Sequence, residues 1–356
     1  MTGHATVTAL RERVLATLGR HVRPGARVAL VDYPNHTNVG DCAIWLGEIE
    51  ALRLLGARVA YECEAHGHDA RAARRAVGRD GVVLLHGGGN FGDEWPEYQR
   101  LREGVLAAHR DVPVVVLPQT VQFNRDESAA RAAAAMAAHP RLTVLCRDAR
   151  SAATVRSMAP AATVELCPDA AFALGRRAVR RRPAAAERLW LTRTDAERRG
   201  PRLLPPGGRG RVIDWMEGED GDLGARAPER LLRAAARHAG QRATRRPWLA
   251  GAAAPVVRAL HTDLARRRVR LGLDLVGSAP VVVTDRLHAH ILCLAAGVPH
   301  VLVDTGYGKL RAFVETWTAG HPLLRLANGA EEADAAARDL AARRPTPVPT
   351  PEAMHA

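Results

Sequence analysis

The sequence predicts an α/β fold in which strands and helices alternate and the strands form parallel sheets. Short runs rich in β-branched residues, such as 26–31 and 281–283, have the character of buried strands. Each is followed by a polar turn and then by the apolar spacing of a helix. Such alternation places helices on both faces of a parallel sheet. Because 356 residues suffice for about two domains, we expect two sheet-building halves.

The first half of the chain carries six predicted strands. A helical pattern at 5–20 opens the chain, and Ala43–Leu55 forms a second helix that ends at Gly56. The predicted strands are 26–31, 58–63, 81–85, 112–117, 142–145 and 163–166. In an open α/β sheet, ligands bind outside the carboxyl ends of the strands. Candidate site residues are therefore sought directly after each strand.

The loop after the first predicted strand has the composition of a binding site. It contains Asn35, Asn38, Gly40 and Asp41, and it precedes the helix at 43–55. The N-terminus of a helix offers free backbone N–H groups to an anion or a polyol. Simple capping of the helix by Asp41 is the alternative explanation.

A glycine-rich loop, HGGGNFGDEW, follows the third predicted strand. Residues 87–92 satisfy G-x-G-x-x-G, but no acidic residue follows the next strand as a dinucleotide site requires. The glycines also fit a hydrolase oxyanion loop, yet the sequence has no G-x-S-x-G. We interpret the segment as a loop that presents backbone N–H groups to a phosphate, a carboxylate or a sugar. Close packing of a strand on a helix is the alternative.

An abrupt change of composition at Gly175–Pro183, which contains five arginines, marks the boundary between the halves. The predicted organisation is a first domain at 1–175, a linker at 176–187, a second domain at 188–328, a terminal helix at 329–345 and a disordered tail at 346–356. A solvated run of charge is the ordinary explanation of such a linker, and contact with an acidic lipid or polymer is the alternative.

The second half repeats the alternation of strands and helices. Its predicted elements are strands at 188–192, 211–213, 281–283 and 298–303, a helical pattern over 228–270 broken near Pro247 and Pro255, and helices at 312–317 and 331–344. Thr284 and Asp285 are candidates to cap the helix that follows the third of these strands.

Three side chains of the second half lie where strands end. Arg286 and His288 come directly after one strand, and Lys309 comes after the next. A permanent cation beside a group that titrates near neutrality suits an anionic substrate that needs proton transfer. His290 points to the opposite side of a helix from His288, which argues against a shared metal site. A structural role for both histidines is the alternative.

Composition excludes several classes of protein. The net charge is +13, but nearly all of the positive charge is arginine, Lys309 is the single lysine, and aromatic residues make up only 4%. This pattern favours anionic small substrates or an anionic membrane surface over nucleic acid. Five cysteines without a C-x-x-C pair argue for a reducing compartment and against a zinc site. With no apolar run of about 18 residues, we expect a cytoplasmic protein or one at the inner face of the membrane.

Several short motifs together resemble the polysaccharide pyruvyl transferase family. They are Asn38-Val-Gly40-Asp41, HGGGN at 86–90, Arg147-Asp148 with Ser151, Pro168-Asp169, Arg193-Thr-Asp195 with Glu197, TDRLHAH at 284–290 and Tyr307-Gly-Lys309. The resemblance spans about residues 38–313, and TDRLHAH followed by the YGK motif is its most specific part.

The resemblance implies a fold, a reaction and a set of partners. The fold would be two Rossmann-like domains facing a cleft, similar to the GT-B glycosyltransferase architecture. The reaction would transfer pyruvate from phosphoenolpyruvate to two hydroxyls of one sugar, giving a cyclic ketal and releasing phosphate. The sugar acceptor could be carried on a glycan, a lipid, a nucleotide or a small metabolite. The resemblance implies no metal and no cofactor beyond the co-substrate phosphoenolpyruvate.

Residue types fit this chemistry on the donor side. Arginine forks bind both the phosphate and the carboxylate of phosphoenolpyruvate, which suits Arg193 and Arg286. Lys309 supplies a point charge for the phosphate, and Leu287 completes the predicted donor-binding set. His288 is the predicted general acid that protonates the enol methylene, with Arg286 and Arg193 beside it. Each cation could instead be a structural or surface residue.

The acceptor is predicted to lie against the loops of the first half. The predicted acceptor-side residues are Asn38, Gly40, Asp41, Gly88, Gly89, Asn90 and Trp95. Trp95 could stack on a sugar face or pack structurally. Two other functions fit the same composition: a nucleotide-sugar glycosyltransferase of similar fold, and a non-enzymatic protein that binds polyanions through its arginines. Neither oligomeric state nor the identity of the sugar follows from the sequence.

Overall fold

A computed structural model describes residues 3–179, 187–195, 197–198, 200–216, 227–245, 247–305 and 308–342. The described residues form an α/β fold with two sheets, one of seven strands and one of five. Every strand pair in both sheets is parallel. The prediction of parallel sheets alternating with helices is therefore confirmed.

The first half of the chain builds the seven-stranded sheet. Its strands are β1 (Arg27–Tyr33), β2 (Arg58–Glu64), β3 (Val82–Leu85), β4 (Gly88–Gly92), β5 (Val114–Gln122), β6 (Leu142–Cys146) and β7 (Thr163–Leu166), in the order β2-β1-β3-β5-β6-β7 with β4 paired to β5. Its helices are α1 (Gly3–Gly19), α2 (Val39–Leu54), α3 (Ala70–Val77), α4 (Pro96–Ala108), α5 (Asp126–Ala137) and α6 (Ala149–Met158). The central strands are buried on both faces, as their unbroken apolar runs require.

The second half builds the five-stranded sheet. Its strands are β8 (Leu189–Leu191), β9 (Arg211–Ile213), β10 (Val282–Thr284), β11 (His300–Val303) and β12 (Leu324–Ala327), in the order β12-β11-β10-β8-β9. Its helices are α7 (Ala227–Arg245), α8 (Pro247–Val276), α9 (Leu287–Ala296), α10 (Lys309–Trp317) and α11 (Ala330–Ala342). Gly297 ends α9 in the left-handed conformation, as its sequence position predicts.

The glycine loop differs from its prediction. We predicted a loop at 87–92, but Gly88–Gly92 forms β4. The cause is the length of β5, which continues beyond the predicted end of that strand to Gln122 and pairs with β4. Gly92 lies so close to this extension that a Cβ there would collide with the Gln122 carbonyl oxygen. The glycine at 92 is therefore required by strand packing.

Two further elements differ from their predictions. The helical pattern breaks at Pro247, where α8 begins, but α8 continues through Pro255. Packing of α8 on α7 and α2 maintains the helix there. Strand β12 was not predicted from the sequence, because this short edge strand alternates apolar residues with Arg325 and so has no continuous apolar run.

One apolar core contains residues from both halves of the chain. Leu30 of β1, Val39 of α2, Leu189 of β8 and Ile291 of α9 all belong to it. Helix α8 bridges the halves, because Gly272 packs so closely that a Cβ there would collide with the Val39 side chain. Whether each sheet with its helices is a separate domain remains a prediction. Residues 180–186 of the predicted linker and the predicted tail lie outside the described residues.

Among the helices that the structure describes, none combines the length and the apolar character needed to cross a membrane.

Candidate functional site

His288 lies in the first turn of α9, directly after β10. Arg286 is the N-cap residue of that helix and gives no side-chain cap, so the predicted capping by Thr284 or Asp285 is wrong. The Thr284 hydroxyl donates to the carbonyl oxygen of Leu191 over 2.6 Å and accepts from the backbone N–H of Arg286 over 3.1 Å, so it orders the turn before α9 without being its N-cap. The imidazole of His288 is 13% exposed and thus sits at the boundary between the core and an open surface.

Asp169 lies at ion-pair distance from Nε2 of His288, a buried nitrogen that makes no hydrogen bond to the described residues. Its carboxylate Oδ2 lies 3.4 Å from Nε2 of His288 and 2.7 Å from Nη1 of Arg147. Burial raises the pKa of Asp169, but the neighbouring His288 and Arg147 outweigh it and hold the pKa well below its ordinary value. Asp169 is therefore a buried carboxylate that stays ionised beside the His288 ring.

Gly40 lies against the other side of the His288 ring. A Cβ on Gly40 would come within 2.7 Å of the ring Cγ and closer still to Nδ1, so only glycine leaves room for the imidazole. Asn38, not Asp41, caps α2, because the Asn38 Oδ1 accepts from the backbone N–H of Gly40 over 3.0 Å. Asp41 instead accepts from Nδ2 of Asn38 over 2.8 Å. The predicted loop of the first half thus meets the predicted acid of the second half.

The two predicted donor-binding arginines converge, but each is paired with acids. Arg286 is 2% exposed, and its Nη2 lies 2.7 Å from Asp195 and 2.6 Å from Asp214. Nη1 of Arg193 lies 2.9 Å from Asp195 and 2.9 Å from Glu197. Asp195 therefore bridges both guanidiniums and fixes their relative position. The acids that accompany Arg193 in the sequence motif are the ones that make this arrangement.

Lys309 and Leu287 occupy the first turns of their helices. Nζ of Lys309 lies 3.9 Å from Glu94 of the first half, and burial lowers the pKa of the amine. Leu287 is buried in the shared apolar core. Tyr307, which precedes Lys309 in its motif, lies outside the described residues. Lys309 is thus a partly desolvated cation that faces the loops of the first half.

The glycine segment borders the same region. A Cβ on Gly89 would come 3.1 Å from Nη2 of Arg147, and one on Gly88 would come 3.8 Å from Oδ1 of Asp41. Asn90 is fixed by Arg102, whose Nη2 donates to its Oδ1 over 2.9 Å. Trp95 is half-buried at the N-cap of α4, without a side-chain cap. The predicted acceptor-side residues therefore border one region, while Trp95 stands at the start of α4.

A buried ion pair underlies this segment. Nδ1 of His86 donates to Glu48 over 2.8 Å, and the other oxygen of Glu48 accepts from the Gly87 N–H over 2.8 Å. Burial lowers the pKa of His86, but Glu48 outweighs it and raises the pKa to about 9. His86 thus carries a positive charge at neutral pH. This ion pair was not predicted from the sequence. The feature that could have indicated it is an acidic residue, Glu48, within an otherwise apolar stretch of α2.

A cavity of about 980 Å³ lies beside the first sheet. It is lined by Asp32, Tyr33, Asn35 and His36 from the end of β1 and the following loop, and by residues of β2, α7 and α8. His288, Arg286 and Lys309 do not line it. The loop 35–41 connects the two places, because its first residues border the cavity and Gly40 contacts the His288 ring.

Residues 38–307 match the family of polysaccharide pyruvyl transferases. The chain is 30% identical over 332 residues to Pyruvyl transferase 1 of Schizosaccharomyces pombe, covering 89% of this chain and 76% of that protein. It is 26% identical over 303 residues to the putative pyruvyl transferase EpsO of Bacillus subtilis, covering 85% and 88%. A crystal structure of an uncharacterized Klebsiella pneumoniae protein has a similar fold, with a TM-score of 0.56 at 16% identity over 90% of this chain and 98% of that chain.

Proposed function

We propose a reaction for this chain on one premise, which the comparisons establish: it belongs to the polysaccharide pyruvyl transferase family. The chain would move pyruvate from phosphoenolpyruvate onto two hydroxyls of one sugar, closing a ketal and releasing phosphate. The single observation that carries this proposal is the placement of His288, whose ring lies between the Asp169 carboxylate and Gly40. This arrangement brings a supported imidazole to the meeting point of the two halves.

His288 is the general acid in this proposal. Asp169 faces Nε2 from 3.4 Å, the position from which a carboxylate orients a catalytic imidazole. Nδ1 then delivers a proton to the methylene carbon of phosphoenolpyruvate. Protonation creates positive character at the adjacent carbon, which a sugar hydroxyl attacks. General acid catalysis of this kind contributes roughly 10²–10⁴-fold to a rate.

The cations near His288 would bind the donor. Nε of Arg286 is buried and has no hydrogen-bond partner among the described residues, so a suitably placed anion would satisfy a donor that is otherwise unpaired. Both acids that pair with Arg193 contact its Nη1, which orients the rest of its fork. Lys309, whose burial makes its charge more costly, gains from a phosphate beside it. No metal and no further cofactor enters the proposed reaction.

The acceptor would bind in the cavity beside the first sheet. Its volume of about 980 Å³ accommodates a sugar and part of a conjugate, and it is bordered by polar and aromatic side chains. Residues 1–175 would then form the acceptor side and 188–328 the donor side of a GT-B-like arrangement. The reaction would run in the cytoplasm, where phosphoenolpyruvate is made, and a lipid-linked acceptor would bring the protein to the inner face of the membrane.

The deciding experiment is phosphate release from phosphoenolpyruvate with a panel of galactosides, mannosides, glucosides and their nucleotide or lipid conjugates. We expect phosphate release only with a sugar acceptor, and a product heavier by one pyruvyl ketal. His288→Ala should reduce kcat by about 10²–10⁴-fold. His238→Ala, at an exposed position on α7, is the matched control and should keep the wild-type rate.

Two outcomes would count against the proposal. Wild-type turnover in His288→Ala would remove the histidine from the mechanism. Thermal stabilisation by a nucleotide sugar, with none by phosphoenolpyruvate and no phosphate release, would favour a glycosyltransferase instead. For the acceptor placement, substitutions of Asn35 and His36 should raise KM for the sugar and leave KM for phosphoenolpyruvate unchanged. The reverse pattern would refute that placement.

A further inference from the structure

Asp32, near the carboxyl end of β1, has an unusual backbone. Its φ is 82°, and among the non-glycine residues that the structure describes it alone has a positive φ. The register between β1 and β2 shifts at this point, between Val31 and Tyr33. L-residues avoid this conformation, and Asp and Asn tolerate it best. Backbone strain of this kind tends to persist at functional sites, so the conformation makes Asp32 a candidate functional residue.

Asp32 is one of the residues that line the cavity that the proposed function gives to the acceptor. The residue is only 5% exposed, so its carboxylate is largely removed from bulk water. The strand pairing Val31 with Leu85 sets Asp32 beside His86, the next residue of the neighbouring strand end. Nε2 of His86 is buried and has no hydrogen-bond partner among the described residues. A charged imidazole with an unused donor therefore stands next to a buried acid.

The groups around Asp32 set its proton affinity. Those that face it from neighbouring elements are His86 after β3, Arg102 and Tyr98 of α4, Asp41 of α2, Cys63 of β2 and the amide of Asn90. Burial raises the pKa of Asp32 to about 6, against the opposing effects of His86 and Arg102. A carboxyl group in this range is mostly ionised at neutral pH and is a stronger base than an ordinary aspartate.

We propose that Asp32 is the general base that takes the proton from the attacking hydroxyl of the sugar acceptor. The proposal rests on the pyruvyl transfer proposed above and assigns its second proton transfer. The first residues of the segment 35–41 line the cavity that Asp32 borders, and Gly40 of the same segment contacts His288. The proposal places a sugar in the cavity against Asp32, with the donor carbon reached along the segment 35–41 that leads to His288.

The proton balance of the reaction closes with these two groups. The hydroxyl oxygen bonds to the carbon that carries the phosphate ester, while its proton passes to Asp32 and the double-bond electron pair takes a proton from His288. The C–O bond to phosphate then breaks with its electron pair on phosphate. The second hydroxyl attacks the same carbon, and its proton leaves with the phosphate. Solvent returns the proton from Asp32 to His288 before the next turnover.

The test uses Asp32→Asn, which keeps the size of the side chain and its tolerance of positive φ but removes the base. We expect kcat to fall about 10²–10³-fold, with KM for both substrates near the wild-type values. In the wild type, activity should fall as the pH drops through about 6, and this acid limb should vanish in the variant. Titration of the phosphate of phosphoenolpyruvate affects both profiles, so the difference between them isolates Asp32.

Asp32→Gly separates catalysis from folding. Glycine adopts a positive φ without strain, so any lower melting temperature of the variant reports the lost side-chain contacts, while activity should fall to the same extent as in Asp32→Asn. Asp111→Asn, at an exposed carboxylate that does not line the cavity, controls for the change of net charge and should keep full activity.

Three results would overturn the assignment. Asp32→Asn or Asp32→Gly with kcat close to the wild type would remove Asp32 from the reaction. An acid limb that persists unchanged in Asp32→Asn would assign it to another group. If the wild type makes no ketal with any acceptor, the proposed function fails and this assignment fails with it. An active wild type with an active Asp32→Asn overturns the assignment alone.

Discussion

Replacing Gly40 with alanine should disable the enzyme while leaving its fold intact. Gly40 has a helical backbone within α2, which alanine also adopts, so the substitution costs nothing in conformation. The added methyl group, however, would lie 2.7 Å from Cγ and 3.0 Å from Cβ of His288. Of the two residues in this contact, Gly40 and His288, it is the His288 side chain that can move.

The expected loss follows from these distances. Ordinary van der Waals contact begins near 3.4 Å, so the ring must shift by roughly 1 Å. Nε2 of His288 is already 3.4 Å from Asp169, and a shift of that size changes both its support and its aim. A displacement of about 1 Å in a catalytic group can reduce a rate by about 10²-fold. We expect kcat of Gly40→Ala to fall by about that factor.

Phosphate release with a sugar acceptor measures kcat, and thermal unfolding measures the fold. Gly104→Ala is the matched control, because a Cβ on Gly104 of α4 has nothing within 4 Å and should leave kcat unchanged. Adding Gly40→Ala to His288→Ala should cost nothing further, since both changes act through one ring. Wild-type kcat in Gly40→Ala, or a second full loss in the double variant, would refute the reasoning.

Three further predictions concern charged residues of the candidate site. Asp169→Asn should lower kcat by roughly 10²-fold with unchanged KM, because it removes the carboxylate charge that faces the His288 ring; an unaffected kcat would contradict this. Glu48→Gln should destabilise the protein by about 3 kcal/mol at pH 7 in urea unfolding. Since Glu48 raises the pKa of His86 to about 9, that difference is fully present below pH 6.5 and should shrink as the pH rises through about 9. Lys309→Met should raise KM for phosphoenolpyruvate at least about 10-fold with a smaller effect on kcat, and an equal rise of KM for the sugar would argue against a phosphate contact.

The architecture could be predicted from the sequence because most strands are recognisable as short apolar runs. The strand at 211–213 and the helix that follows β10 lie where the apolar pattern placed them, whereas the helix after β1 begins at Val39 and so includes Gly40 and Asp41 of the predicted loop. Because ligands bind at the carboxyl ends of parallel strands, Arg286, His288 and Lys309 could be chosen as candidate site residues. The short motifs predicted the family correctly. Their roles in the reaction remain predictions.

The partners of these residues could not be predicted. Contact between Gly40 and His288 depends on how the two halves pack, which no local pattern encodes. The same holds for Asp214, which pairs with Arg286 across the second sheet. The conformation of Asp32 was also hidden, because aspartate at the end of a strand usually indicates only a turn. The features that could not be predicted from the sequence are therefore contacts made by long-range packing, rather than secondary structure.

The apolar core that joins β1 and α2 to β8 and α9 limits how such an enzyme can change. In proteins whose halves touch only across solvent, a donor-side unit from one relative can be exchanged for that of another. Here a chimaera would have to match buried side chains on both sides, including the close approach of Gly272 to Val39. New sugar preferences would arise more readily by substitutions at the cavity wall than by recombination of halves.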